Sequence, residues 1–354
     1  MRTLAKERMP ARPPIFDYGK ESAFARDLIA VRSVSGDNGP ITLPVVRFWG
    51  PSARKEHVGD RVQVFIDGKP RAELRMGEAG VPVFAQTQIF AWDLQTLAPH
   101  AVEDASVSAL HVRFEHVCPE LAEARDSPAR FAECTLFVWN HDDDVVVSDV
   151  DGTITLSDVG GHLNTTLLQK VGYSPNTYAH PGVCALFSFI REKFHCRFLY
   201  LTARPLNLCV ETRNYLRGLK QDDKVLPLGP CVTDATSYYG SLKREVVDKS
   251  SHLFKAEFLA EELRDCFSKA GRTLIEKPVF MAGFGNKDTD AMAYRAAGVH
   301  PVLTFIIDKR SVVTAGAGYA SELSSYDDPN LLNWIQEMMN LFQNGKLPAT
   351  PRQD

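Results

Sequence analysis

Long apolar runs, paired cysteines, blocks of like charge and low-complexity linkers are all missing from this 354-residue sequence. Stretches such as VCALFSFI are far shorter than the roughly 20 residues that cross a bilayer. The opening MRTLAKERMPARPP has no apolar centre of the kind a signal peptide carries. A soluble or peripheral protein without a transmembrane segment is therefore expected. Seven cysteines, at 118, 134, 184, 196, 209, 231 and 266, form no C-x-x-C pair. That argues against a disulfide framework or a zinc knuckle and for a reducing compartment. A formal charge of −4 gives no global attraction to nucleic acid or to anionic lipid, so no nucleic-acid partner is expected and any lipid contact must be local. Hydrophobic and charged contents of 44% and 24% exclude wholesale disorder.

What is present changes character along the chain. Residues 1–40, with Pro10, Pro13 and Pro14, read as an N-terminal arm carrying one short helical candidate, ESAFARDLIA. Residues 41–147 are a string of short β-rich runs, among them TLPVVRF, RVQVFIDGKPRAELRM, SALHVRFEHV and ECTLFVWN. Alternation at Val62, Val64 and Ile66 followed by Asp67-Gly68 predicts a hairpin. A small all-β sandwich is expected there. Over 145–340 strands and helices alternate: VVVSDV, helices near 160–171 and 181–193, RFLYLTA, a helix near 206–219, VLPLGPC, a helix near 254–269, PVFMAGFG, a helix near 287–297 and VLTFIID. Apolar strands without alternation are buried on both faces, as in a parallel sheet covered by helices. The expected fold of this part is a doubly wound, Rossmann-like α/β domain, with 341–354 left as a tail.

In such a sheet, ligands bind beyond the carboxyl ends of the strands. VVVSDVDGTITLSD delivers Asp149 and Asp151 to one such end, FLYLTARP delivers Thr202, and VFMAGFGNKDTD delivers Asn286, Asp288 and Asp290. Hard oxygens in that number suit Mg²⁺, which also takes phosphate oxygens. With the cation present, one carboxylate, Asp149, stays ionised and can attack phosphorus, while Asp151 can carry a proton.

The same residues resemble a known pattern. D-x-D-G-T after the first strand, Thr after the second, a lysine before the last helix pair and an acidic cluster after the fourth strand are similar to the haloacid dehalogenase superfamily of phosphotransferases. SDVDGTITLSDVGGHL, FLYLTARP, LKREVV, FKAEFL and GFGNKDTDAMAYRAAGV are more specifically similar to the catalytic domain of the lipins, Mg²⁺-dependent phosphatidate phosphatases. LPVVRFWG with VFIDGKPRAELRMGEAGVPVFA resembles their amino-terminal segment. The resemblance covers roughly 41 to 310 and implies an immunoglobulin-like sandwich joined to the phosphatase domain.

By that resemblance Asp149 forms an aspartyl-phosphate and Asp151 protonates the departing diacylglycerol oxygen, then activates water. Thr202 holds a phosphoryl oxygen together with Gly152, Thr153, Ala203 and Arg204. Lys255, with Lys243 as its rival, neutralises the phosphoryl charge. Mg²⁺ is expected on Asp149, the carbonyl of Val150, Asp151, Asn286 and Asp290. His162 and His180 lie near the motif, with no partner at ligand spacing.

Two other readings remain open on the sequence: a catalytically inactive phosphatidate-binding module, against which the intact Asp149, Asp151 and Gly152 speak, and a phosphatase for a soluble phosphomonoester. The implied partner is a phosphatidate-containing membrane surface, met by a cytoplasmic protein peripheral to the endoplasmic reticulum or another internal membrane. Residues 1–16 hold Arg2, Lys6, Arg8 and Arg12 against Glu7 alone, interleaved with Leu4, Met9, Ile15 and Phe16. This arm is either an interfacial anchor or a plain disordered basic tail.

Overall fold

The computed structural model describes residues 23–35, 39–83, 109–118, 130–156, 178–234, 253–274, 277–315, 322–323 and 325–347. The chain divides into two compact units, residues 1–141 with 269–271 and residues 142–268 with 272–354. The arm 1–16, the helix expected near 160–171, His162 and Lys243 lie outside the described residues.

The first, β unit contains β1 (Ala23–Ala25), β2 (Leu28–Arg32), β3 (Val46–Phe48), β4 (Arg61–Ile66), β5 (Lys69–Met76), β6 (Pro82–Val83), β7 (Ala109–Val117) and β8 (Phe131–Asn140). Six strands form one sheet in the order β2-β8-β7-β4-β5-β6, and β1 pairs with β3 in a separate ribbon. The β4–β5 turn has Asp67 at φ 47° and Gly68 at φ 75°. Positive φ at both positions is what a tight two-residue hairpin requires. Val62, Val64 and Ile66 face inward and meet Leu110, Val112 and Phe114 of β7, with Ala25, Val46 and Phe48 of the ribbon in the same core.

The helical candidate over 21–30 is a correction: its described residues, 23–30, form β1 and the start of β2, so the 40-residue arm is shorter than expected. Leu28, Ile29, Ala30 and Val31 are all buried, and β2 lies parallel to β8 with Leu28 opposite Leu136. A strand inserted beside a long partner buries both faces. Helical propensity yields to that pairing.

The second unit contains β9 (Val145–Ser148), α1 (Val183–Phe194), β10 (Arg197–Pro205), α2 (Cys209–Gly218), a small ribbon of β11 (Lys220–Gln221) and β12 (Lys224–Val225), and β13 (Cys231–Asp234). A helix over 253–269, α3, follows. Then come β14 (Phe280–Gly285), α4 (Asp288–Ala297), β15 (Thr304–Ile307), β16 (Val313–Ala315), β17 (Glu322–Leu323) and α5 (Pro329–Gln343). The sheet runs β13-β10-β9-β14-β15-β16-β17. Its first five strands are parallel and the last two antiparallel. This unit is an α/β fold. β9 is central, with β10 on one side and β14 on the other. The chain's path therefore reverses direction across β9, and the crevice beyond that point is where an open α/β sheet binds ligands.

Two boundaries move. The strand expected at VLPLGPC begins only at Cys231, because Pro227 and Pro230 cannot donate to a ladder. Instead their carbonyls accept from the Tyr200 hydroxyl at 2.6 Å and the Tyr200 amide at 3.0 Å. The tail expected from 341 is in part helix: α5 runs to Gln343, and Leu341, Phe342 and Leu347 pack on the core.

Candidate active site

Val145 to Ser148 are all buried, and the chain leaves the sheet at Asp149, whose amide still donates to the Phe284 carbonyl at 2.9 Å. The following turn closes on itself. The Val150 carbonyl accepts from the amides of Ile154 at 3.0 Å and Thr155 at 3.1 Å. With both lone pairs engaged inside the turn, Val150 is not presented as a metal ligand, contrary to expectation. Gly152 also differs from its expected phosphate contact. Its amide donates to Thr155 Oγ1 at 3.0 Å, and its φ of 79° shows that it serves the turn's conformation. His180, fully buried, donates from Nε2 to the Gly152 carbonyl at 3.1 Å and accepts at Nδ1 from Ser311 at 2.9 Å. The Tyr326 hydroxyl donates to the Thr153 carbonyl at 3.0 Å.

The centre of the site is a lysine held between two carboxylates. Lys255 Nζ lies 2.6 Å from Asp149 Oδ1 and 2.7 Å from Asp290 Oδ1. Lys255 comes from the first turn of α3, three residues before a wide π-helical stretch, Phe258–Leu263, a form that recurs at functional sites. Asp149 Oδ2 accepts from Thr153 Oγ1 at 3.1 Å. Asp290 Oδ2 caps the start of α4, accepting from the amides of Asn286 at 3.0 Å and Lys287 at 3.2 Å. Gly285 makes room for it: a Cβ there would sit 2.5 Å from the Asp290 Cβ.

All three side chains are buried. Burial pushes the Asp149 carboxyl up, Lys255 pulls it down, and Asp290 and Asp151 push it up again, to about 7. For Lys255, burial disfavours the ammonium, but Asp149 and Asp290 outweigh it and hold the group above its ordinary value.

Asp151 belongs to a second cluster. Arg204 grips it with a fork, Nε at 2.9 Å from Oδ2 and Nη2 at 2.7 Å from Oδ1, while Arg204 Nη1 donates to Thr212 Oγ1 at 3.1 Å. Thr202 Oγ1 donates to Asp151 Oδ2 at 3.2 Å. Two expectations change as a result. Asp151 has both oxygens taken and is not offered as a side-chain metal ligand, and Arg204 is turned to Asp151 and not to an open phosphate position. The ladder between β10 and β13 shifts register between Thr202 and Pro205. That irregularity releases Ala203 and Arg204 from regular pairing, as bulges beside active sites do.

Three carboxylates, Asp149, Asp151 and Asp290, thus face two cations, Lys255 and Arg204. One negative charge is left over in a buried place, and Asp149 keeps one lone pair on each oxygen beyond its two partners. Together with Asn286 at the end of β14, this donor set fits a hard divalent cation such as Mg²⁺. Asp288 is exposed. Pattern reading missed the supporting residues Thr155, Thr212, Tyr326 and the bracing role of His180. Only Thr155, inside DGTIT, had a local signal; the others are brought in from distant elements.

The sequence pattern of the LNS2 (Lipin/Ned1/Smp2) family matches residues 118–339. Among curated proteins, Phosphatidate phosphatase PAH1 of Arabidopsis thaliana is 38% identical over 181 residues, 51% of this chain and 18% of that protein. Phosphatidic acid phosphohydrolase 1 of Saccharomyces cerevisiae is 36% identical over 182 residues, 50% of this chain and 20% of that protein. Human Phosphatidate phosphatase LPIN2 is 28% identical over 215 residues, 61% of this chain and 22% of that protein. The matched segment spans only about a fifth of each relative.

Proposed function

The chain belongs to the LNS2 (Lipin/Ned1/Smp2) family, and from that premise we propose that it is a phosphatidate phosphatase, hydrolysing phosphatidate to diacylglycerol and phosphate through an aspartyl-phosphate on Asp149. The observation that carries this reading is the buried Lys255 bridge between Asp149 and Asp290, set beside Asp151 at the carboxyl ends of β9 and β14. A nucleophile, a charge-neutralising lysine and a second carboxylate are the parts that phosphoryl transfer needs.

In this reading an Asp149 oxygen forms the new bond to phosphorus as the bond to the diacylglycerol oxygen breaks, and Asp151, with one oxygen drawn out of the Arg204 fork and protonated as substrate enters, gives that oxygen its proton. Asp151 then takes a proton from water, whose oxygen attacks the phosphoryl group and releases phosphate and free Asp149. Thr153 holds one Asp149 oxygen in place, Arg204 and Thr202 orient Asp151, and Lys255 offsets charge on the phosphoryl oxygens. Mg²⁺, held by Asp149 and Asn286 with Asp290 behind them, would add positive charge beside the phosphoryl group and keep Asp149 ionised.

No described helix is long and apolar enough to cross a membrane. A lipid substrate therefore implies docking at a surface, and we place the protein peripherally at the cytoplasmic side of internal membranes, with the basic arm 1–16 as one contact. We also read the β unit as an immunoglobulin-like sandwich, on the support of the core that its six-stranded sheet shares with the β1–β3 ribbon. The deciding experiment measures Mg²⁺-dependent phosphate release from phosphatidate in mixed micelles beside a panel of soluble phosphate esters. Turnover of soluble esters with none of phosphatidate would overturn the substrate; no turnover of either by wild type would overturn the enzyme.

A further inference from the structure

We propose that the β unit holds a zinc ion on His57, Asp60, His116 and Cys118. The four ligand-type atoms lie within 4.8 Å of one another. His57 Nδ1 and His116 Nε2 each lie 2.9 Å from Asp60 Oδ2, and Cys118 Sγ lies 3.8 Å from His57 Nδ1. Tetrahedral zinc, with bonds of 2.0–2.3 Å, sets its ligand atoms about 3.3–3.8 Å apart. The two short contacts would open by about 0.4 Å and the widest separation, at most 4.8 Å, would close into that range as the ion binds. Two imidazoles, a thiolate and a carboxylate are a zinc donor set in kind as well as in number.

The local folds present these atoms for good reason. His116 and Cys118 are two apart at the end of β7, so both point to the same face. His57 ends a short 3-10 turn, Lys55–His57, and Asp60 immediately precedes β4. In the ladder Val62 is opposite His116, which brings the start of β4 beside the end of β7.

The contacts around the two imidazoles point the same way. His116 Nδ1 lies 3.0 Å from Ser52 Oγ, a contact that fixes the ring with Nε2 toward the cluster. His57 is 4% exposed, yet its Nε2 has no hydrogen-bond partner among the described residues. In a pure hydrogen-bond network the proton sits on Nδ1, facing Asp60, and Nε2 is a stranded buried acceptor. With a metal on Nδ1 the proton moves to Nε2, where the Glu56 carboxylate is 3.7 Å away. A metal would thus exchange a buried acceptor without a partner for a donor within ion-pair range of Glu56. The ion would cross-link segments 56 residues apart in the chain, a structural staple for the β unit. A search for C-x-x-C pairs passes over it, because it uses a single cysteine.

The test uses the full chain, purified without chelator and dialysed against excess Mg²⁺, which keeps carboxylate sites occupied. Elemental analysis should find one zinc per chain. Replacement by Co²⁺ should give the near-ultraviolet thiolate-to-cobalt band and tetrahedral visible bands. Cys118→Ser should lose the thiolate band, and Cys266→Ser, in the other unit, should keep it. Folded wild-type protein with less than a tenth of an equivalent of zinc and no thiolate band would overturn the proposal. So would a band unchanged in Cys118→Ser. These readouts do not depend on phosphatase activity, so failure here leaves the proposed reaction untouched.

Discussion

Replacing the proposed nucleophile should make the protein more stable, under stated conditions. Asp149→Asn swaps a buried carboxyl, held at about 7 against an ordinary 3.8, for a neutral amide of the same shape. The sign follows from proton linkage. A carboxyl whose folded pKa is raised binds protons better in the folded state, so its stability contribution is complete below about pH 4 and is lost as pH rises to about 7. The asparagine variant has no such loss. Each pH unit in that window is worth about 1.4 kcal/mol, so between pH 5 and pH 8 the variant should gain about 3 kcal/mol on wild type in the absence of divalent cations. The other groups at the site do not undo this. Lys255 keeps Asp290 at 2.7 Å, Asp151 keeps Arg204, the tyrosines Tyr294 and Tyr326 are pushed above their ordinary range by burial, and His180 is common to both proteins. The assay is urea denaturation followed by circular dichroism, in chelator, at both pH values. Adding Mg²⁺ should narrow the gap by stabilising wild type alone. A variant less stable than wild type at pH 8, or a stability difference equal at the two pH values, would refute the reasoning.

Asp151→Asn should reduce phosphatidate turnover by about 10²–10⁴, and by much less for an ester with an acidic leaving group; equal losses on the two substrates would remove the general-acid role. Lys255→Met should abolish turnover and, by leaving Asp149 and Asp290 buried without their cation, cost about 3–5 kcal/mol, whereas Lys243→Met should keep near-wild-type kinetics. Gly285→Ala forces a Cβ against Asp290; overpacking of this kind costs about 1–3 kcal/mol, and a titration of activity with Mg²⁺ should show a higher requirement. Excess chelator should stop phosphate release and added Mg²⁺ should restore it, so full activity in chelator would exclude the metal.

Some of this was open to reading residue by residue. The valines of β9 have to be buried on both faces because no polar residue alternates with them, and a glycine directly after two carboxylates has to mark a turn. That much follows from the period of a strand and the conformational freedom of one residue type. It sets Asp149 and Asp151 just past the end of β9, whereas Thr202, expected at a strand end, lies inside β10 and Asp290 in the first turn of α4. Which partner each group takes was a different matter. Arg204 lies 53 residues from Asp151, and Tyr326 lies 173 residues from the Thr153 carbonyl that it braces. Nothing local says that Arg204 turns to Asp151 and away from the expected phosphate, or that the Val150 carbonyl is used up inside its own turn. Leu28 to Val31 could be helix or strand on propensity alone, and β8 decided it by offering an unpaired edge. His57, Asp60, His116 and Cys118 read as scattered polar residues until the β4–β7 ladder sets them side by side. Element type and turn position rest on neighbours along the chain, whereas hydrogen-bond partners and net charge at a site depend on which strands pair, and pairing is settled only when the whole core closes.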